Sequence, residues 1–189
     1  RTSIERYADA AGLLVVMPDG GRGFYCDQPY GRYEAHLLET VRYIDRTFRT
    51  RDAPAARGIG GLSMGGYGAM KLGLKYPELF GSVASHSGAL DVVGSQHDEL
   101  LRQIFPDGVR PDDDCFALAR RPGRKPALRF DCGVDDWLLP HNRAFRDHLV
   151  ALGIPHAYAE FPGAHTWDYW DSHVQEALAF HLAQMASRP

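Results

Sequence analysis

Ser63 stands in Gly61-Leu62-Ser63-Met64-Gly65, a G-x-S-x-G pattern of the kind that lifts one hydroxyl out of a sharp strand-to-helix turn. A serine hydroxyl at its free pKa is a poor nucleophile and needs a neighbouring base, itself oriented by an acid. Chance produces such a pattern about one time in ten in a chain this rich in glycine, so it carries weight only with partners. The backbone N–H of Met64 opens the helix after the serine, where it can face a developing oxyanion.

In an elbow fold the acid and the base follow the serine, on loops at the carboxyl ends of later strands. "LRFDCGVDDWLLP" supplies a strand, Gly133, then Asp135 and Asp136; "AYAEFPGAHTW" supplies a strand, a Pro-Gly loop and His165. His36 and His86 come too early, and His97 falls in a polar segment. His141 and His148 belong to the helix after the aspartates, and His156 opens its strand at the far end of the sheet. His173 and His181 are expected on the surface of the last helix. His165 remains as the base. Asp136 is favoured over Asp135, because a turn at Gly133 leaves a few residues to swing the carboxylate across. Asp135 stays open as a hydrogen-bonding or solvated neighbour, and Asp131 lies inside the strand.

These side chains need a scaffold. Residues 13–17, "LLVVM", predict a buried strand ending at Pro18-Asp19-Gly20-Gly21. Leu37, Val41, Ile44 and Phe48 mark one face of a helix over about 31–49. "ARGIGGLS" reads as a strand into the serine and "GYGAMKLGLKY" as a helix out of it, stopped near Pro77. Strands follow at 81–88, 126–133 and 156–161, with a helix through Phe145, Leu149 and Leu152 ending at Gly153. Val174, Leu178, Leu182 and Met185 mark a last helix. Strands alternating with helices predict an α/β fold, a parallel sheet with helices on both faces. No repeat or linker divides residues 1–189. The long polar segment 91–125 is either a solvated connection with one or two short helices or a partial lid. Its Asp112-Asp113-Asp114 run is read as a helix N-cap before Cys115 rather than a calcium site.

"GGLSMGGYGAMKLGLKYPELFGSVASHSGALD", "CGVDDWLLPHNRAF", "PGAHTWDYW" and the earlier "VVMPDGGRGFYCD" together resemble one esterase family of α/β-hydrolases. That family includes esterase D (S-formylglutathione hydrolase), tributyrin esterases, feruloyl esterases and mycolyltransferases. The resemblance covers essentially the full chain. It implies the α/β-hydrolase fold, with Ser63 as nucleophile, Asp136 as acid and His165 as base. It also implies a departure: the strand at 13–17 corresponds to the fold's fourth, so the N-terminal strands and the loop giving the second oxyanion N–H are expected to be lacking. Losing one such donor typically costs about 10²–10³ in rate. An uncovered sheet edge would favour a homo-oligomer.

Composition narrows the rest. The net charge of −3, with scattered Lys and Arg, gives no footprint for nucleic acid. No apolar run reaches the roughly 18 residues of a membrane span. Three distant cysteines suggest neither a disulfide framework nor a zinc site, and lean towards a reducing, cytoplasmic setting, with secretion left open. Phe24, Tyr25 and Trp167 are the candidates to line the substrate pocket. The expected function is a serine carboxylesterase acting on small acyl or aromatic esters through an acyl-enzyme, without metal or organic cofactor. The alternatives are an acyltransferase or thioesterase of the same fold, or a non-catalytic carbohydrate-binding or assembly module.

Overall fold

The structure is a computed structural model that describes residues 2–95 and 98–186; His97 lies outside them. The chain opens with α1 (Ile4–Ala10) and a two-residue hairpin, β1 (Asp27–Gln28) with β2 (Gly31–Arg32), and continues into α2 (Tyr33–Thr47). Then come β3 (Gly58–Leu62), α3 (Met64–Lys75) and β4 (Ser82–His86). The polar segment holds α4 (Glu99–Ile104) and α5 (Cys115–Arg120). After it run β5 (Ala127–Gly133), α6 (Leu139–Ala151), β6 (His156–Phe161) and α7 (Trp167–Ala186).

The four longer strands form one parallel sheet in the order β3-β4-β5-β6. Side chains alternate across it, as the two-residue period of a strand requires. Leu128 and Phe130 of β5 join Phe145 and Leu149 of α6 in the main core, with the Phe130 and Phe145 rings 5.7 Å apart. Arg129 and Asp131 point the other way, to Glu176 and Tyr169 of α7. Helices α3, α5 and α6 pack beside one another, whereas α7 contacts β3, β4, β5 and α1. Both faces are therefore covered, as the βαβ rhythm demands.

Local sequence sets the helix ends. Asp98 caps α4 and Asp114 caps α5, each accepting from backbone N–H groups of the first turn. Pro140 sits in the first turn of α6, where its missing N–H costs nothing. That helix closes with Gly153 at φ +65° and Ile154 N–H donating to the Leu149 carbonyl, a glycine C-terminal stop.

Three expectations change. Residues 13–17 form no strand: Leu14, Val15, Val16 and Met17 are 55, 37, 41 and 67 % exposed. The run has strand-forming residues, but among the described residues no strand lies beside it to take its backbone hydrogen bonds. The segment 91–125 is more than a solvated connection, because Leu101, Ile104, Phe105, Cys115 and Leu118 enter the main core with Tyr67 and Met70 of α3. His181 is buried rather than on the surface, with its Nδ1 2.7 Å from Ser82 Oγ of β4. None of the helices searched among the described residues is long and apolar enough to cross a membrane.

Candidate active site

Ser63 is the residue between β3 and α3, and it holds φ +54°, ψ −118°. A side chain in the left-handed region is strained. The surroundings hold it there: Ser63 N–H donates to the His86 carbonyl at 2.9 Å, and its carbonyl accepts from Tyr67 and Ala89 N–H. The turn is so tight that a Cβ on Gly61 would overlap the Gly65 carbonyl. Gly65 itself is not crowded: the nearest atom to a Cβ there is the Tyr25 hydroxyl at 3.9 Å. Met64 is the first residue of α3, so its N–H is among those that no helix carbonyl can reach.

His165 and Asp136 arrive from the loops after β6 and β5. His165 Nε2 lies 2.9 Å from Ser63 Oγ, and His165 Nδ1 lies 2.9 Å and 3.1 Å from the two Asp136 oxygens. Parallel pairing brings the loops together: Gly133 sits beside Phe161, Val134 N–H donates to the Phe161 carbonyl, and Asp135 N–H donates to the Gly163 carbonyl. Asp135 spends its backbone on this splice and leaves its side chain exposed. The Asp136 carboxylate is fully buried and accepts from Leu138 N–H at 2.8 Å.

The electrostatics fix the proton positions. Burial alone would push the Asp136 carboxyl up. Hydrogen bonds from His165 and Leu138 N–H outweigh it and hold the carboxyl below its ordinary range. An ionised carboxylate only accepts, so neutral His165 places its proton on Nδ1. Its Nε2 is then left bare to accept from the Ser63 hydroxyl. The line can pass a proton from serine to imidazole while the carboxylate stabilises the resulting cation.

Aromatic rings surround the imidazole. Trp170 meets it edge-on at 4.8 Å, and Trp137, 69 % exposed, lies 5.2 Å away on the solvent side. Trp167 is exposed and packs edge-on against Trp170 at 5.2 Å. Tyr25 lays its ring over Gly68 of α3, with its hydroxyl towards Gly65. Phe24, a candidate for the pocket, instead belongs to the core: it is buried and its ring lies 5.6 Å from that of Tyr67.

Two buried polar clusters were not anticipated. Asp131, the less favoured acid inside β5, pairs with His86 and Arg129 and accepts from the Tyr169 hydroxyl. Lys71 of α3, fully buried, pairs with Glu34 at 2.8 Å and Asp113 at 3.3 Å. Only Asp114 of the acidic run is the N-cap. A lysine on the apolar side of a glycine-rich helix was the available signal for a buried partner. Among the described residues no group of three or more His, Cys, Asp or Glu side chains could hold a metal ion.

The family described as "Putative esterase" matches residues 3–181. The chain is 31% identical to an acetyl esterase of Caldicellulosiruptor saccharolyticus, over 88% of this chain and 70% of that protein. Among solved structures, it is similar to the S-formylglutathione hydrolase FrmB of Staphylococcus aureus, with a TM-score of 0.85 and 27% identity over 96% of this chain and 76% of that one. It is equally similar in sequence to the substrate-bound fluorophosphonate-binding serine hydrolase FphF of Staphylococcus aureus, with a TM-score of 0.87, 27% identity and the same coverages.

Proposed function

The chain belongs to the Putative esterase family, hydrolases that act on esters, and on that premise we propose that it is a serine carboxylesterase acting through an acyl-enzyme. The observation that carries this reading is the unbroken line Ser63–His165–Asp136, with both hydrogen bonds at 2.9 Å.

Ser63 Oγ attacks the ester carbonyl as its proton passes to His165 Nε2. Asp136 holds the Nδ1–H tautomer and stabilises the imidazolium. The carbonyl oxygen becomes an oxyanion facing the Met64 N–H, at the positive end of α3. Collapse of the tetrahedral intermediate expels the alcohol, which takes the proton from His165 and leaves the acyl group on Ser63. Water then repeats the sequence and frees the acid. No step calls for a metal or organic cofactor.

A small acyl group suits the reading, in line with the acetyl esterase relative. Exposed Trp137 and Trp167 give the approach to His165 an aromatic rim on which the leaving alcohol or an aromatic acyl group can lie. Ser63→Ala is expected to abolish turnover of p-nitrophenyl acetate with the fold intact. Unchanged turnover would remove Ser63 from the mechanism.

A further inference from the structure

Tyr25 adopts φ +52° directly after Phe24 at φ +50°, so two successive side chains sit in the left-handed region. Such strain persists where the surroundings over-determine it. Lys71, fully buried, anchors the stretch: its Nζ donates to the Tyr25 carbonyl at 2.8 Å while Glu34 and Asp113 pair with its charge. The ring is clamped as well. A Cβ on Gly20 would meet Tyr25 Cζ at 2.6 Å, and one on Gly68 would meet Cδ2 at 2.4 Å, so two backbones lie against the ring where no side chain fits. At Gly68 the nearest ring atoms are Cδ2, Cγ and Cε2; at Gly65, nearly one turn closer to Ser63, the nearest atom is the hydroxyl. The phenol therefore runs along α3 towards Ser63 and ends beside the helix's first turn. Among the described residues no group hydrogen-bonds this hydroxyl.

Tyr25 and His165 flank Ser63 from opposite sides. His165 comes from the loop after β6, at the far end of the sheet from β3. Tyr25 packs with Leu37, Leu72 and Phe80 and with Ile59 of β3, in a cluster that holds no residue of β5 or β6. The leaving alcohol takes its proton from His165 and so departs on the imidazole flank. The acyl group is left facing the other flank. We propose that the Tyr25 hydroxyl borders the acyl pocket and is a specificity-determining group that favours short acyl chains over longer apolar ones. The proposal rests on the esterase reading above. An acetyl group leaves the hydroxyl to water, whereas a longer alkyl chain strips that water and offers no hydrogen bond in return. The clamp keeps the ring from turning its hydroxyl aside, so the mismatch stays in place. Burial, then the charge of Asp19, push the phenol above its ordinary value, and it keeps its proton at neutral pH.

The test compares kcat/KM for p-nitrophenyl acetate, butyrate and hexanoate in wild type and in Tyr25→Phe, which removes the hydroxyl and keeps the ring. Wild type is expected to prefer acetate. Tyr25→Phe is expected to raise the hexanoate-to-acetate ratio of kcat/KM by about fivefold or more, the size of one unmade hydrogen bond. A ratio cancels any difference in the folded or active fraction, so a merely structural role of the hydroxyl would not move it. A second pair, p-nitrophenyl acetate and 4-methylumbelliferyl acetate, varies the alcohol instead; its ratio is expected to stay within about twofold. An acyl-chain ratio unchanged in Tyr25→Phe would overturn the proposal, as would wild type that prefers hexanoate or a change confined to the leaving-group ratio. Wild-type protein that neither turns over any of these esters nor labels at Ser63 with a fluorophosphonate would instead overturn the esterase reading itself.

Discussion

Gly61 Cα lies against the Gly65 carbonyl across the Ser63 turn, so closely that no Cβ fits between strand and helix. The first glycine of the motif is required by contact; the last is not. Gly61→Ala is expected to open the turn, displace Ser63 from His165 and lower stability by about 1–3 kcal/mol, as overpacking does. Gly65→Ala, with 3.9 Å of room, is expected to fold at least as stably, because alanine is the better helix former by roughly 1 kcal/mol. Thermal unfolding of both variants beside wild type checks the asymmetry; equal destabilisation would refute it.

Asp136→Asn replaces an acceptor pair with a group that can donate towards His165 Nδ1. The imidazole then moves its proton to Nε2, where it faces the Ser63 hydroxyl and can no longer accept from it. Such a tautomer error costs about 10⁴ in kcat in a serine triad. Asp135→Asn, at an exposed side chain, is expected to leave kcat within about twofold. The Asp136 carboxyl is held below its ordinary range, so it stays a charged acceptor at neutral pH. Steady-state kinetics on the two variants distinguish the aspartates.

Lys71 sits buried between Glu34 and Asp113, and removing it would leave two carboxylates without a cation. Lys71→Met is expected to cost about 3–5 kcal/mol at neutral pH, by urea titration. Burial raises the Glu34 carboxyl, but the Lys71 charge and hydrogen bonds from Lys71, Lys75 and Tyr76 bring it down to about 2. A depressed carboxyl contributes stability that is present above its unfolded pKa and disappears as pH falls through the folded one. Wild type should therefore lose stability between roughly pH 5 and pH 2, and Lys71→Met should lose much less over that range. A parallel decline in the two proteins would contradict this account.

Much of the site is readable from the sequence because each part carries a local signature. The elbow glycines mark the turn, Gly133 and Pro162-Gly163 mark the loops after β5 and β6, and residue order leaves few histidines to choose from. What is not readable depends on neighbours. "LLVVM" has the composition of a buried strand, yet whether it is one depends on a partner strand beside it. His181 stands three residues after Leu178 and seven after Val174, on the same face of its helix, but its polar type points to the surface; its burial follows from the close approach of α7 to Gly58 and Ser82. Phe24 follows a glycine-rich loop, as a pocket residue could, but Tyr67 below it claims the ring for the core.

His181 provides a pH test independent of catalysis. Its imidazole is buried against Ser82, and burial first, then the charges of His86 and Arg129, lower its pKa to about 4. The unfolded chain takes up the proton near the ordinary histidine value of about 6.5. The folded state refuses it until much lower pH. A histidine with a depressed folded pKa contributes stability that is fully present above the unfolded value and is lost as pH falls through the folded one. Wild type should accordingly weaken between about pH 6.5 and pH 4, by an amount on the order of 3 kcal/mol if the buried ring stays neutral throughout. This window begins above the carboxylate window of Glu34, so the histidine contribution stands clear of it between about pH 6.5 and pH 5. His181→Gln keeps a polar side chain facing Ser82 but has no proton to gain. It should lower stability at pH 8 through lost packing and flatten the curve between pH 6.5 and pH 5. Urea unfolding at half-unit pH steps measures both; an unchanged slope in the variant would mean that some other group takes up the proton.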